Sequence, residues 1–131
     1  MRRTVKLAGG VSAVGLILAF GATAAQAGTS YKSYNTTIGK YGGAGYSATQ
    51  TKRFTDASAS VRSATVGGDY TADVCLVPSN SGFCLGGSKT INDGSNVLVW
   101  NFATEGSTVR LKFTDGWQWV NVQVTGTWAS D

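Results

Sequence analysis

The sequence predicts an all-β protein: a small antiparallel β-sandwich or barrel with one disulfide and an extended N-terminal arm. Three observations carry that prediction. From about Tyr46 onward, Val, Thr, Tyr and Trp alternate with polar residues, and no window repeats apolar residues at three- and four-residue spacing. That is the pattern of half-buried strands, not of helices. Turn residues punctuate the alternation at Gly67-Gly68, Asn92-Asp93-Gly94-Ser95 and Asp115-Gly116. The only two cysteines, Cys75 and Cys84, belong to a chain whose first residues read as an export signal, and oxidising surroundings favour their pairing.

In chain order, residues 1–27 are the signal peptide. Arg2, Arg3 and Lys6 form a positive n-region, Val11 to Phe20 an apolar run, and Ala25-Gln26-Ala27 a small-x-small cleavage pattern. The uninterrupted apolar stretch is shorter than the ~20 residues a spanning helix needs, so no membrane anchor is expected after processing. The formal charge of +4 belongs largely to this segment, because residues 28–131 hold eight basic against seven acidic side chains. A nucleic-acid or anionic-lipid partner therefore loses its electrostatic support. The expected location is extracellular and the expected partners are other secreted proteins.

Residues 28–48 form a Tyr/Gly-rich stretch with Tyr31, Tyr34, Tyr41 and Tyr46 among small polar residues and Ile38 as its main aliphatic anchor. It reads either as a poorly ordered terminus with one edge strand or as an extended arm that orders on a partner. In the second reading those four tyrosines and Ile38 are the anchors, since Tyr offers large contact area at low rotamer cost.

Residues 49–131 are the β domain. Gly67-Gly68 predicts a two-residue hairpin joining Ser60 to Val66 with Asp69 to Val77, which sets Arg62 opposite Asp73 and Val61 opposite Val74. Pro78 to Gly82 is a turn closed by the Cys75–Cys84 bridge, a loop whose closure contributes about 3 kcal/mol in the chain-entropy model. Asn92 to Ser95 is a turn ahead of a strand from Val97 to Phe102. Asp115-Gly116 predicts a type I′ hairpin between Thr108–Thr114 and Trp117–Thr125. Its core face pairs Leu111 with Val120 and Val109 with Val122. Its other face pairs Lys112 with Trp119, Thr114 with Trp117 and Arg110 with Asn121, so Arg110, Lys112, Trp117 and Trp119 make an aromatic and cationic candidate surface. The same Trp pair is equally compatible with cover by a second sheet. Six or seven strands follow from this parsing.

Catalysis finds little support. The chain has no histidine, which removes Ser-His-Asp and Cys-His mechanisms and His-containing zinc or haem sites. Asp69, Asp93 and Asp115 are explained by turns and Asp73 by Arg62, no Asp-x-Asp-x-Asp-Gly loop occurs, and no metal or cofactor is expected. Asn35-Thr36-Thr37 matches the glycosylation-acceptor pattern, a three-residue match read as coincidence. Three non-enzymatic functions remain: a protein-binding or adaptor module, a solitary antimicrobial protein, and a protease inhibitor presenting Leu76 to Phe83 as a disulfide-tethered loop.

Gly45-Tyr46, Gln50-Thr51-Lys52, Val66-Gly67-Gly68-Asp69-Tyr70 and Val124-Thr125-Gly126-Thr127-Trp128 resemble landmarks of small exported proteins of Gram-positive bacteria. The layout is similar to the adaptor subunit of Streptomyces umbrella toxin particles, a secreted β domain with an N-terminal extension. That resemblance implies a subunit linking a large toxin chain to lectin-bearing partners in an antibacterial complex, with the extension inserted into a partner's cleft. It rests on architecture and transfers no binding residue.

Overall fold

In the computed structural model, residues 30–131 are described, so the signal-peptide reading of residues 1–27 lies outside them. Nine strands follow one another: β1 (Lys32–Ile38), β2 (Ala44–Tyr46), β3 (Gln50–Thr51), β4 (Ala59–Val66), β5 (Ala72–Pro78), β6 (Lys89–Ile91), β7 (Asn96–Val99), β8 (Thr108–Thr114) and β9 (Val122–Ala129). One sheet runs in the order β1-β9-β4-β7. The other runs β2-β8-β5-β6, with β3 also pairing β8. Every pairing is antiparallel. The all-β antiparallel class and the Cys75–Cys84 disulfide are therefore as the sequence predicts, the bridge joining Cα atoms 5.6 Å apart.

The alternation does its expected work. Val109, Leu111 and Phe113 on β8 point inward with Val74 and Leu76 on β5, and they meet Val61 on β4, Val122 and Val124 on β9, and Trp128. What the alternation does not reveal is which sheet each strand joins. The connections β1–β2, β4–β5, β6–β7 and β8–β9 all cross from one sheet to the other. Both strongly signalled hairpins are in fact such crossings.

Gly68 does take the positive φ (59°) that its turn requires, but β4 pairs with β7 and β9 while β5 pairs with β6 and β8. Arg62 therefore lies opposite Asn96 and Thr127, not Asp73, and Asp73 accepts a 2.8 Å hydrogen bond from the Thr90 hydroxyl. Likewise Gly116 has φ 72°, yet Leu111 pairs with Leu76 and Val122 with Ile38, and Val120 is exposed in the connection. In a hairpin two apolar faces lie side by side, and across a sandwich they lie face to face. Period-two alternation is the same in both.

The stretch read as an arm is built into the sandwich over its described part. β1 zips along the whole of β9, from Lys32 opposite Trp128 to Ile38 opposite Val122, and β2 starts the second sheet against β8. Tyr34 and Ile38 are core residues, with the Tyr34 ring centroid 4.8 Å from that of Phe113. Tyr34 fits because its partner is Gly126, where a Cβ would stand 2.6 Å from the Tyr34 hydroxyl and 2.2 Å from the Arg62 carbonyl oxygen. Burial raises the pKa of the Tyr34 hydroxyl, with the neighbouring Ser63 hydroxyl opposing the shift.

Beyond β3, Lys52 is fully buried. Its ammonium donates to the carbonyls of Ala57 and Ser130, and Gln50 donates to the Trp128 carbonyl at 2.9 Å while accepting from the Ser130 amide at 2.9 Å. These two side chains fasten the end of β9. Burial lowers the pKa of Lys52, against the opposing pull of Asp131 and Asp56.

Candidate functional site

Two connections meet at the end of the sandwich where β1 passes to β2 and β8 to β9. The β1–β2 turn closes with the Gly43 amide on the Gly39 carbonyl at 3.1 Å, and within it Tyr41 (φ 62°) and Gly42 (φ 80°) both take left-handed backbone. For tyrosine that conformation costs about 1–2 kcal/mol. The turn is lashed to the β8–β9 connection by two hydrogen bonds, Tyr41 N–H to the Gln118 carbonyl at 2.8 Å and Lys40 N–H to Asn121 Oδ1 at 2.9 Å. Gln118 in turn donates to the Asp115 carbonyl.

This lashing assembles an aromatic cluster. The Tyr41 ring centroid lies 5.5 Å from that of Trp117, tilted by 34°, and 6.3 Å from that of Trp119 in an edge-to-face arrangement. Lys40 Nζ stands 5.3 Å from the Tyr41 centroid. The rings are nonetheless displayed, with 46% of Tyr41, 67% of Trp117 and 75% of Trp119 exposed. In the same connection Asp115 is buried, and neither of its carboxylate oxygens has a hydrogen-bond partner among the described residues. Burial raises its pKa, while the nearness of its own backbone amide opposes the rise.

The remaining sequence-predicted residues fall elsewhere. Tyr34 and Ile38 are in the core and so cannot anchor a partner. Tyr31 lies on the outer face of the first sheet, where Arg62 stacks 3.7 Å over its ring and its hydroxyl meets that of Ser60 at 2.6 Å. The aromatic and cationic surface divides in two, because Trp117 and Trp119 sit in a connection and not on a strand opposite Lys112. Arg110 and Lys112 project instead from the outer face of the second sheet, beside Tyr46 and under the disulfide loop. Arg110 stacks 3.8 Å over the Tyr46 ring, and Lys112 Nζ donates to the Gly82 carbonyl at 2.9 Å.

Sequence reasoning missed that Tyr41 and the Trp pair, 76 residues apart at Tyr41 and Trp117, form one cluster. No local signal marks a contact between two connections. It also passed over the exposed pair Trp100 and Phe102, whose ring centroids are 6.1 Å apart, whereas Phe83, 82% exposed, lies in the Leu76 to Phe83 loop that the sequence offers as an inhibitor's. No family model, curated protein or solved structure matches the chain, so function is argued from this surface.

Proposed function

We propose that this protein is an exported, non-catalytic binding module that attaches to another secreted protein through the Tyr41–Trp117–Trp119 cluster, as an adaptor in an extracellular toxin or antibacterial assembly. The observation that carries this reading is the cluster itself. Three large rings are held outward by hydrogen bonds between two connections, and one of them occupies an unfavourable backbone conformation to do so. Rigid exposed Trp and Tyr side chains supply most of the energy at protein interfaces, and strained residues cluster where a surface has work to do.

Affinity capture from the native culture supernatant tests the reading. The parent protein should retain a defined large partner, and Trp119→Ala should weaken that complex by 2 kcal/mol or more, about 30-fold, with an unchanged melting temperature. Equal capture by both proteins would remove the cluster from the interface. A solitary antimicrobial protein would instead arrest a competitor's growth without any partner, whereas an adaptor is inert alone.

A further inference from the structure

A second surface, separate from the aromatic cluster, has the construction of a protease-directed loop. Residues 79–84 leave β5 and fold back over the outer face of the second sheet, closed by the Cys75–Cys84 disulfide. Phe83 at their outer limit is the most exposed large apolar side chain among the described residues. The backbone behind it is held from several sides. The Gly82 carbonyl accepts from Lys112 Nζ at 2.9 Å, and Arg110 Nη2 stands 3.5 Å from the Ser81 carbonyl oxygen. The Ser81 amide donates to the Pro78 carbonyl at 3.2 Å, and just past the disulfide the Leu85 amide donates to the Leu76 carbonyl at 2.7 Å. Gly82 rests on Tyr46, whose hydroxyl would stand 3.0 Å from a Cβ there. No residue from Ser79 to Cys84 takes left-handed backbone.

We propose that this loop is an inhibitory site for serine proteases whose primary pocket accepts an aromatic side chain, with Phe83 as the residue that enters the pocket. Three features favour this occupant over a general protein contact. The anchor is a single aromatic side chain next to a peptide bond, and a hydrophobic slot beside a catalytic serine is built to take that arrangement. Ser81 and Gly82, the residues ahead of it, are small and leave the protease's cleft unobstructed. The chain is fixed before binding, which lowers the ordering cost that makes flexible substrates bind weakly.

The tether also distinguishes inhibitor from substrate. Attack by the protease's serine on the Phe83 carbonyl breaks the Phe83–Cys84 amide, the serine's proton passing to the released Cys84 amine through the protease's own base. The disulfide and the Leu85–Leu76 hydrogen bond keep that amine beside the acyl group. Its return attack re-forms the peptide bond and restores the free serine.

Inhibition of chymotrypsin by the purified protein is the test, with trypsin as the control protease. The expected result is tight inhibition of chymotrypsin, a loss of about 100-fold or more in Phe83→Ala, and a switch to trypsin in Phe83→Arg. Phe83 is exposed, so both variants should melt with the parent, and Trp119→Ala should inhibit as well as the parent does. Absence of inhibition at about 100 μM, a weaker limit than any specific complex of this class, overturns the proposal. So does equal inhibition by Phe83→Ala, or steady turnover of the protein cut after Phe83.

Discussion

Tyr41 joins backbone strain to display. Its φ of 62° is a conformation that glycine takes freely and tyrosine does not, and its ring completes the exposed cluster with Trp117 and Trp119. Tyr41→Gly relieves the backbone and loses the ring, whereas Tyr41→Ala loses the ring and keeps the strain. Chemical denaturation should therefore find the Gly variant more stable than the Ala variant by about 1 kcal/mol. Both should lose partner capture alike. If Ala equals Gly in stability, the turn does not impose the strain. Residue identity was the most legible level of the sequence where a turn or a bridge fixes it: the cysteines are bridged, and Gly68, Gly94 and Gly116 have the positive φ that turns need, whereas display of the Trp pair was left open by the sequence. Tyr34 was misread because its own neighbours are polar. The space it fills is made by Gly126, 92 positions later.

Among the elements, strand existence was legible and strand partnership was not. Asp-Gly and Gly-Gly fix a backbone reversal, but the same reversal serves a hairpin or a crossing between sheets, and only packing selects between them. The two-residue strand β3 shows how much can hang on an element with almost no periodic signal. Gln50 and, next to the strand, Lys52 hold the end of β9 through four hydrogen bonds to its main chain and to Ala57. Lys52→Met leaves the carbonyls of Ala57 and Ser130 without these donors and should destabilise the fold by about 1–3 kcal/mol. It should also change the pH dependence. With the folded pKa below the unfolded value of 10.5, the unfolded chain binds more protons between those two values, so stability rises as pH climbs through that window. Denaturant midpoints measured on approach to pH 10 should rise for the parent through this group and lack that contribution in the variant. The Tyr34 hydroxyl, with its raised pKa, acts in the opposite sense above pH 10.

At the scale of the whole molecule, the two candidate surfaces lie on one rigid body, the aromatic cluster at the end of β8 and the Phe83 loop against its outer face. The cationic side chains that sequence reasoning assigned to the first belong to the second, where Lys112 and Arg110 support the loop. Closure of the first sheet depends on the two ends of the described chain, since β1 pairs only with β9 and β9 bridges β1 to β4. Such distant pairing places refolding in the slow class of all-β domains, with times of milliseconds to seconds. Removing residues 122–131 should abolish cooperative unfolding altogether, as followed by near-ultraviolet circular dichroism. A folded truncated chain would show that the second sheet is self-sufficient. For a polypeptide threaded through a translocation channel from its first residue, this arrangement acts as a timer: every strand of the second sheet has passed before β9, but the first sheet cannot close, nor the sandwich with it, until β9 is released.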